Sequence, residues 1–155
     1  MKNSTQVLIG IFMILFMIPA VFAKERAVLL PLTGALTPDE KRILSKEVSL
    51  ILESNYTIIT GEDVDHVVKQ VFLEESHKTE CDESSCYRRI SEHYHADKII
   101  AFRVTKRTDS LYLITYNLYD VPTGEMTLSR SQECAECSFE KLKALSRGLL
   151  MIENK

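Results

Sequence analysis

Residues 97–119, DKIIAFRVTKRTDSLYLITYNLY, decide the fold because they contain two strong strand-forming segments in succession. Asp97–Thr105 is almost continuously apolar, which is typical of a strand buried on both faces. Leu111–Tyr119 is rich in aromatic and β-branched residues and predicts the strongest strand of the chain. The polar residues Lys106–Ser110 predict a turn between them.

The pattern continues on both sides of this pair. Downstream, Pro122–Gly124 predicts a turn, and Met126–Glu133 alternates as an edge strand does, completing a three-strand meander. A final helix is predicted with an apolar stripe of Phe139, Leu142, Leu145, Leu149 and Ile152. Upstream, Arg26–Leu32 and Tyr56–Thr60 have the length and composition of strands.

Three further helices are predicted between these strands. Thr37 is the expected N-cap of the first helix, with Pro38 in its first turn and Glu40 closing a capping box. This helix has an apolar stripe of Leu44, Val48, Ile51 and Leu52, and its opposite face carries Lys41, Arg42, Ser45, Lys46 and Ser49. The second helix has Val64, Val67, Val68, Val71 and Phe72 at helical spacing, and the third runs from about Ser85 to His95.

The order of elements is therefore βα-βα-α-βββ-α, with about five strands and about four helices. It predicts the α/β (α+β) class, as a single layered domain with a mixed sheet. The 155 residues are 45% hydrophobic and 26% charged, which excludes a disordered chain. The net charge is −3 and no basic block is present, so nucleic acid is not an expected partner.

The first 23 residues have the pattern of a signal peptide. Lys2 precedes the apolar run Val7–Ile18, and Val21 and Ala23 are the small residues that a signal peptidase requires. The run has 12 residues, fewer than the roughly 20 needed to span a bilayer, although an uncleaved anchor is the alternative. Cleavage after Ala23 would leave residues 24–155 as one periplasmic or secreted domain.

The four cysteines all follow this segment. In an exported domain, Cys81, Cys86, Cys134 and Cys137 are expected to form two disulfides. Local pairing closes short loops and would contribute about 2 kcal/mol per bridge, whereas cross pairing would contribute about 4 kcal/mol. The sequence does not choose between the connectivities, and local pairing is favoured because turn-forming residues separate each pair.

Two kinds of cysteine chemistry are alternatives to a structural role. Cys134-Ala-Glu-Cys137 precedes a helix, whose N-terminus lowers the pKa of a thiol, so a thiol–disulfide oxidoreductase is the alternative function. The cysteines, with His77, His93 and His95, also supply zinc ligands, but an oxidising compartment favours disulfides. No metal, cofactor or catalytic residue is predicted.

Several stretches together resemble a known family: AVLLPL at 27–32, NYTIIT at 55–60, ADKII at 96–100, LYDVPTGE at 118–125 and CAEC at 134–137. The sequence is similar to the small exported α/β domain of the curli-assembly (CsgG-like) and TolB amino-terminal-like proteins of bacterial envelopes. The resemblance implies a module that recognises envelope proteins, and no catalytic residues. Many relatives have a glycine where this chain has His95, and the chain has no room for channel-forming hairpins.

The expected function is therefore a non-catalytic, disulfide-stabilised binding or assembly module of the periplasm or envelope. Its expected docking surface is the edge strand with Met126 and Leu128, together with Tyr112 and Tyr116, which share one face of the neighbouring strand. Packing in the core or on the sheet is the alternative role of the two tyrosines, and the commoner one for such residues. The expected partners are envelope proteins. Peripheral association with the outer membrane and the oligomeric state are left open.

Overall fold

A computed structural model of the chain describes residues 23–76 and 83–151. The predicted signal peptide, apart from Ala23, lies outside the described residues, as do Cys81, His77 and Ile152. Signal cleavage and the Cys81–Cys86 disulfide therefore stay predictions.

Ten elements make up the described chain. They are β1 (Arg26–Leu29), β2 (Thr33–Gly34), α1 (Pro38–Leu52), β3 (Thr57–Ile59), α2 (Glu62–Ser76), α3 (Glu83–Tyr94), β4 (Lys98–Lys106), β5 (Leu111–Asp120), β6 (Glu125–Ala135) and α4 (Phe139–Met151). Apart from the short β2, this is the predicted order.

The strands form one mixed sheet in the order β3-β1-β4-β5-β6. β1 is parallel to β3 and to β4, whereas β4, β5 and β6 form the predicted antiparallel meander. β2 is parallel to the second half of β4. The predicted fold class is confirmed, with helices packed on a mixed sheet in a single domain.

The first strand is shorter than predicted because the chain is interrupted at Pro31. Pro31 has no N–H group to donate to the sheet, so β1 ends before it and pairing resumes at Thr33 as the separate strand β2. Gly34 has φ 112°, and a Cβ there would lie 1.9 Å from the carbonyl oxygen of Val104. Only glycine fits where β2 approaches β4 this closely.

Helix α1 begins as predicted. The Thr37 hydroxyl accepts from the Glu40 N–H, and the Glu40 carboxylate accepts from the Thr37 N–H at 2.9 Å, which completes the capping box. These hydrogen bonds, that from the Thr37 backbone first, lower the pKa of Glu40. The prediction that Ser49 lies on the polar face is wrong, because Ser49 is buried beside the apolar stripe.

The helices cover the two faces of the sheet, and each face has its own core. On the first face, residues of α1 and α4 pack with Phe102, Tyr116 and other residues of β4 and β5. On the second face, residues of α2 and α3 pack with Val28, Ile99 and Tyr119. The prediction that β4 is buried on both faces holds only for its first half, because Arg103 is exposed on the second face.

Candidate docking site

β6 is an edge strand, as predicted. It has 11 residues and stands at the end of the sheet, where β5 is its only strand partner among the described residues. The other end is β3, which has three residues. An edge strand presents backbone N–H and C=O groups that a further strand can pair with. The side of β6 away from β5 is therefore the longest edge of this sheet.

The two faces of β6 differ in chemistry. Leu128 is partly buried against the core of the first face, close to α4, and the Arg130 guanidinium donates to the Leu149 carbonyl at 3.5 Å. Ser129 and Ser131 are exposed on the second face, where the Ser129 hydroxyl donates to Asn117 Oδ1 at 2.8 Å. A partner strand on β6 would meet a hydroxyl-rich surface on the second face.

Of the four predicted contact residues, the structure leaves Met126 most accessible, with 42% of its surface exposed. Leu128 and Tyr112 are partly buried and pack on the core of the first face. Tyr116 is fully buried in that core. The face that it shares with Tyr112 is covered by the core, so Tyr116 is not accessible to a partner in this structure.

Asp120 anchors one end of β6. Its carboxylate accepts from the Thr123 N–H at 2.9 Å and the Thr123 hydroxyl at 3.0 Å, and it pairs with Lys98 on β4. The hydrogen bond from Lys98 and then that from the Thr123 backbone lower the pKa of Asp120. Burial opposes the charge of Lys98, but the contacts with Asp120 and Glu25 outweigh it and raise the pKa of Lys98.

The sequence analysis missed this anchor. The Asp120-x-x-Thr123 spacing was the available signal, because an aspartate that accepts from the chain a few residues later is common in turns. Near the same end of β6, the pairing between β5 and β6 shifts its register between Leu118 and Tyr119. It adds twist to the strand near Met126.

A disulfide between Cys134 and Cys137 anchors the other end of β6. Cys134 is 1% exposed and belongs to the core of the first face, whereas Cys137 is partly exposed just before α4. The Glu136 N–H donates to the Ser110 carbonyl at 2.7 Å, and the Lys141 ammonium donates to the Ala135 carbonyl at 2.7 Å. The local pairing predicted for these cysteines is thus present, and it joins the last strand to the last helix.

Cys86 is buried in the core of the second face. Its predicted partner Cys81 lies outside the described residues. His93 and His95 were the other candidate zinc ligands. Within residues 23–76 and 83–151, no cluster of three metal-binding side chains occurs, so the fold does not bring these histidines together with a third ligand there. In the same part of the chain, no helix is long and apolar enough to cross a membrane.

The sequence matches no protein-family model and no curated protein. Solved structures are similar to it. Lipoprotein GNA1162 from Neisseria meningitidis superposes with a TM-score of 0.50 at 14% identity, covering 84% of this chain and 98% of that one. LpoB from E. coli has a TM-score of 0.50 at 10% identity, covering 73% of this chain and 57% of that one.

TolB from Acinetobacter baumannii is also similar, with a TM-score of 0.49 at 10% identity, over 83% of this chain and 27% of that one. At such low identities, the likeness to GNA1162 and LpoB concerns the fold. The predicted resemblance to small domains of bacterial envelope proteins is supported at that level, and the likeness to the curli-assembly proteins stays a prediction.

Proposed function

We propose that this protein is a non-catalytic binding or assembly module of the bacterial envelope, and that it docks an envelope protein by strand addition to β6. The observation that carries the proposal is the 11-residue edge, fixed at one end by Asp120 and at the other by the Cys134–Cys137 disulfide. A preorganised edge loses little conformational entropy when a partner strand pairs with it.

The residues of β6 suit reversible docking. Glu125, Ser129, Ser131 and Glu133 are exposed, so the edge is polar and discourages uncontrolled pairing between copies. Met126 gives the edge one adaptable apolar contact. Specificity then comes from the side chains that a partner places against these positions.

The proposed location is the periplasm or the envelope, after removal of the leader that ends at Ala23. The leader pattern supports this location, and the fold is shared with a protein whose name identifies it as a lipoprotein. Exposure to an oxidising compartment also accounts for a disulfide in a domain of this size.

Two neighbouring proline substitutions test the docking mode. Successive residues of a strand direct their N–H groups to opposite sides, and proline has no N–H group. Of the two variants Ser131→Pro and Gln132→Pro, one therefore removes a donor from the free edge of β6, and the other removes a donor from the hydrogen bonds with β5. Thermal unfolding identifies the free-edge variant as the more stable of the two. We expect this variant to keep its fold and to lose the proteins that the wild type captures from an envelope extract of the native host.

The control for the assay is Ile58→Pro in β3, the edge at the other end of the sheet. The Thr57 N–H donates to the Glu25 carbonyl at 2.9 Å on the β1 side, so the N–H of the next residue, Ile58, is directed to the free side. If this variant folds, it should retain the captured proteins. The proposal is wrong if the folded free-edge variant of β6 retains them all as well.

A thiol–disulfide oxidoreductase is the second candidate function. The position of Cys137, partly exposed and two residues before the start of α4, favours it, because a helix N-terminus stabilises a thiolate. In that function Cys137 would be the attacking thiol and Cys134, in the core, would resolve the mixed disulfide. Thiol titration across glutathione ratios tests it, since an oxidoreductase requires a bridge that is readily reduced.

A further inference from the structure

A groove of about 510 Å³ lies on the second face of the sheet, away from the free edge of β6. Helices α2 and α3 form one wall, and the uncovered parts of β4 and β5 form the floor. The volume falls in the range of small-molecule sites, about 300–1,000 Å³. The groove exists because the two helices cover the first half of β4 and leave the second half open.

Part of the lining is apolar. Val68 and Phe72 of α2 face the groove from the wall, Leu113 contributes from the floor, and Leu30 closes one end. Val68 and Phe72 also pack against the core of the second face. Such a surface favours the hydrocarbon part of a ligand over water.

The groove also contains two cations. Arg103 is exposed on the floor, where its Nε–H donates to the Thr33 hydroxyl at 3.3 Å, and Lys69 lines the wall. Neither forms an ion pair within the described chain, whereas Arg89, Lys98 and Arg147 each contact a carboxylate.

The acid that lines the groove is already engaged. Glu83 accepts a hydrogen bond from the Tyr87 hydroxyl at 3.4 Å. Burial, with the charge of Glu83, raises the pKa of Tyr87 to about 12, so Tyr87 remains a neutral donor to Glu83 at physiological pH. The lining has the two cations Arg103 and Lys69 against this one carboxylate, a surplus of one positive charge next to its apolar wall.

We propose that this groove binds a small amphipathic carboxylic acid, with its carboxylate on the Arg103 guanidinium and its hydrocarbon part along Val68, Phe72 and Leu113. The planar guanidinium has donors arranged to match the two oxygens of a carboxylate. Lys69 adds attraction for the anion, and Thr115 and Asn117 supply further polar groups on the floor. This site is independent of the docking edge proposed above.

The test uses octanoate and its neutral analogue 1-octanol with the purified protein. Calorimetry should give saturable octanoate binding, and amide NMR shifts should map it to Arg103, Leu113 and Thr115. Arg103→Gln should lower octanoate affinity about tenfold or more, since it removes a charge-assisted contact, and should leave the weaker 1-octanol binding unchanged. Leu113→Ser should weaken the binding of both ligands.

Arg107→Gln is the matched control, because Arg107 is exposed in the β4–β5 turn and does not line the groove. Its octanoate affinity should equal that of the wild type. The proposal is overturned by the absence of saturable octanoate binding, by shifts that map elsewhere, or by equal losses of affinity in the two arginine variants.

Discussion

His95 ends helix α3 with φ 50°, in the left-handed region that favours glycine. The Ala96 N–H donates to the Ser91 carbonyl at 3.0 Å and the His95 N–H to the Glu92 carbonyl at 3.4 Å, which is the Schellman arrangement of a helix C-terminus. The resemblance inferred from the sequence predicts a glycine at this position. The His95 side chain is exposed, so the cost of the backbone conformation has no compensating packing.

His95→Gly should therefore stabilise the protein by about 0.5–1 kcal/mol, because glycine adopts this backbone conformation without steric cost. His93→Gly is the control. His93 is exposed two residues earlier and helical, so glycine there should destabilise by about 1 kcal/mol. Urea unfolding of both variants measures the two signs, and equal destabilisation would contradict the proposed role of the left-handed cap.

At the scale of the element, Lys98 and Asp120 fix the end of the meander. The pair joins β4 to β5, and the same carboxylate holds the turn into β6. Both side chains are 13% exposed, so solvent screens this pair less than it screens the surface pair of Lys106 and Asp109. The anchored turn determines where β6 begins.

Asp120→Asn should make thermal stability less dependent on acid pH. The folded pKa of Asp120 lies below the unfolded value of about 3.9, so its ionised form stabilises the fold above that pH and the contribution is lost as pH falls through the folded pKa. The difference in Tm between wild type and variant should be largest near pH 7 and should shrink below about pH 4. Asp109→Asn removes the fully exposed carboxylate of the surface pair and should change Tm much less. An equal change would argue against the anchor.

At the scale of the whole molecule, the Cys134–Cys137 disulfide joins the sheet to the last helix. α4 packs beside α1 on the first face and contacts β6, so this link fixes the C-terminal part of that core. Its loop is short, and the entropic stabilisation is correspondingly modest.

Cys134→Ala with Cys137→Ala should lower the free energy of unfolding by about 2 kcal/mol. Adding a reductant to this double variant then measures any second bridge, because only Cys81 and Cys86 remain. A further loss of stability would support the Cys81–Cys86 pair. If the double variant unfolds at the same urea concentration as the wild type, the disulfide has no structural role and the oxidoreductase candidate gains support.

Local signals in the sequence were sufficient for the element order, the capping box at Thr37 and the edge position of β6, because periodicity, capping and turn chemistry act between residues close in the chain. These signals were not sufficient to predict the burial of Tyr116 or the exposure of Arg103. Which face of β5 is covered depends on where α4 packs, and which half of β4 is open depends on where α2 and α3 end. These are contacts between segments that are distant in the chain, so only the tertiary structure decides them. The alternation of side chains along β4 and β5 was visible in the sequence, but it did not show that Tyr116 lies in the core and Arg103 in a groove.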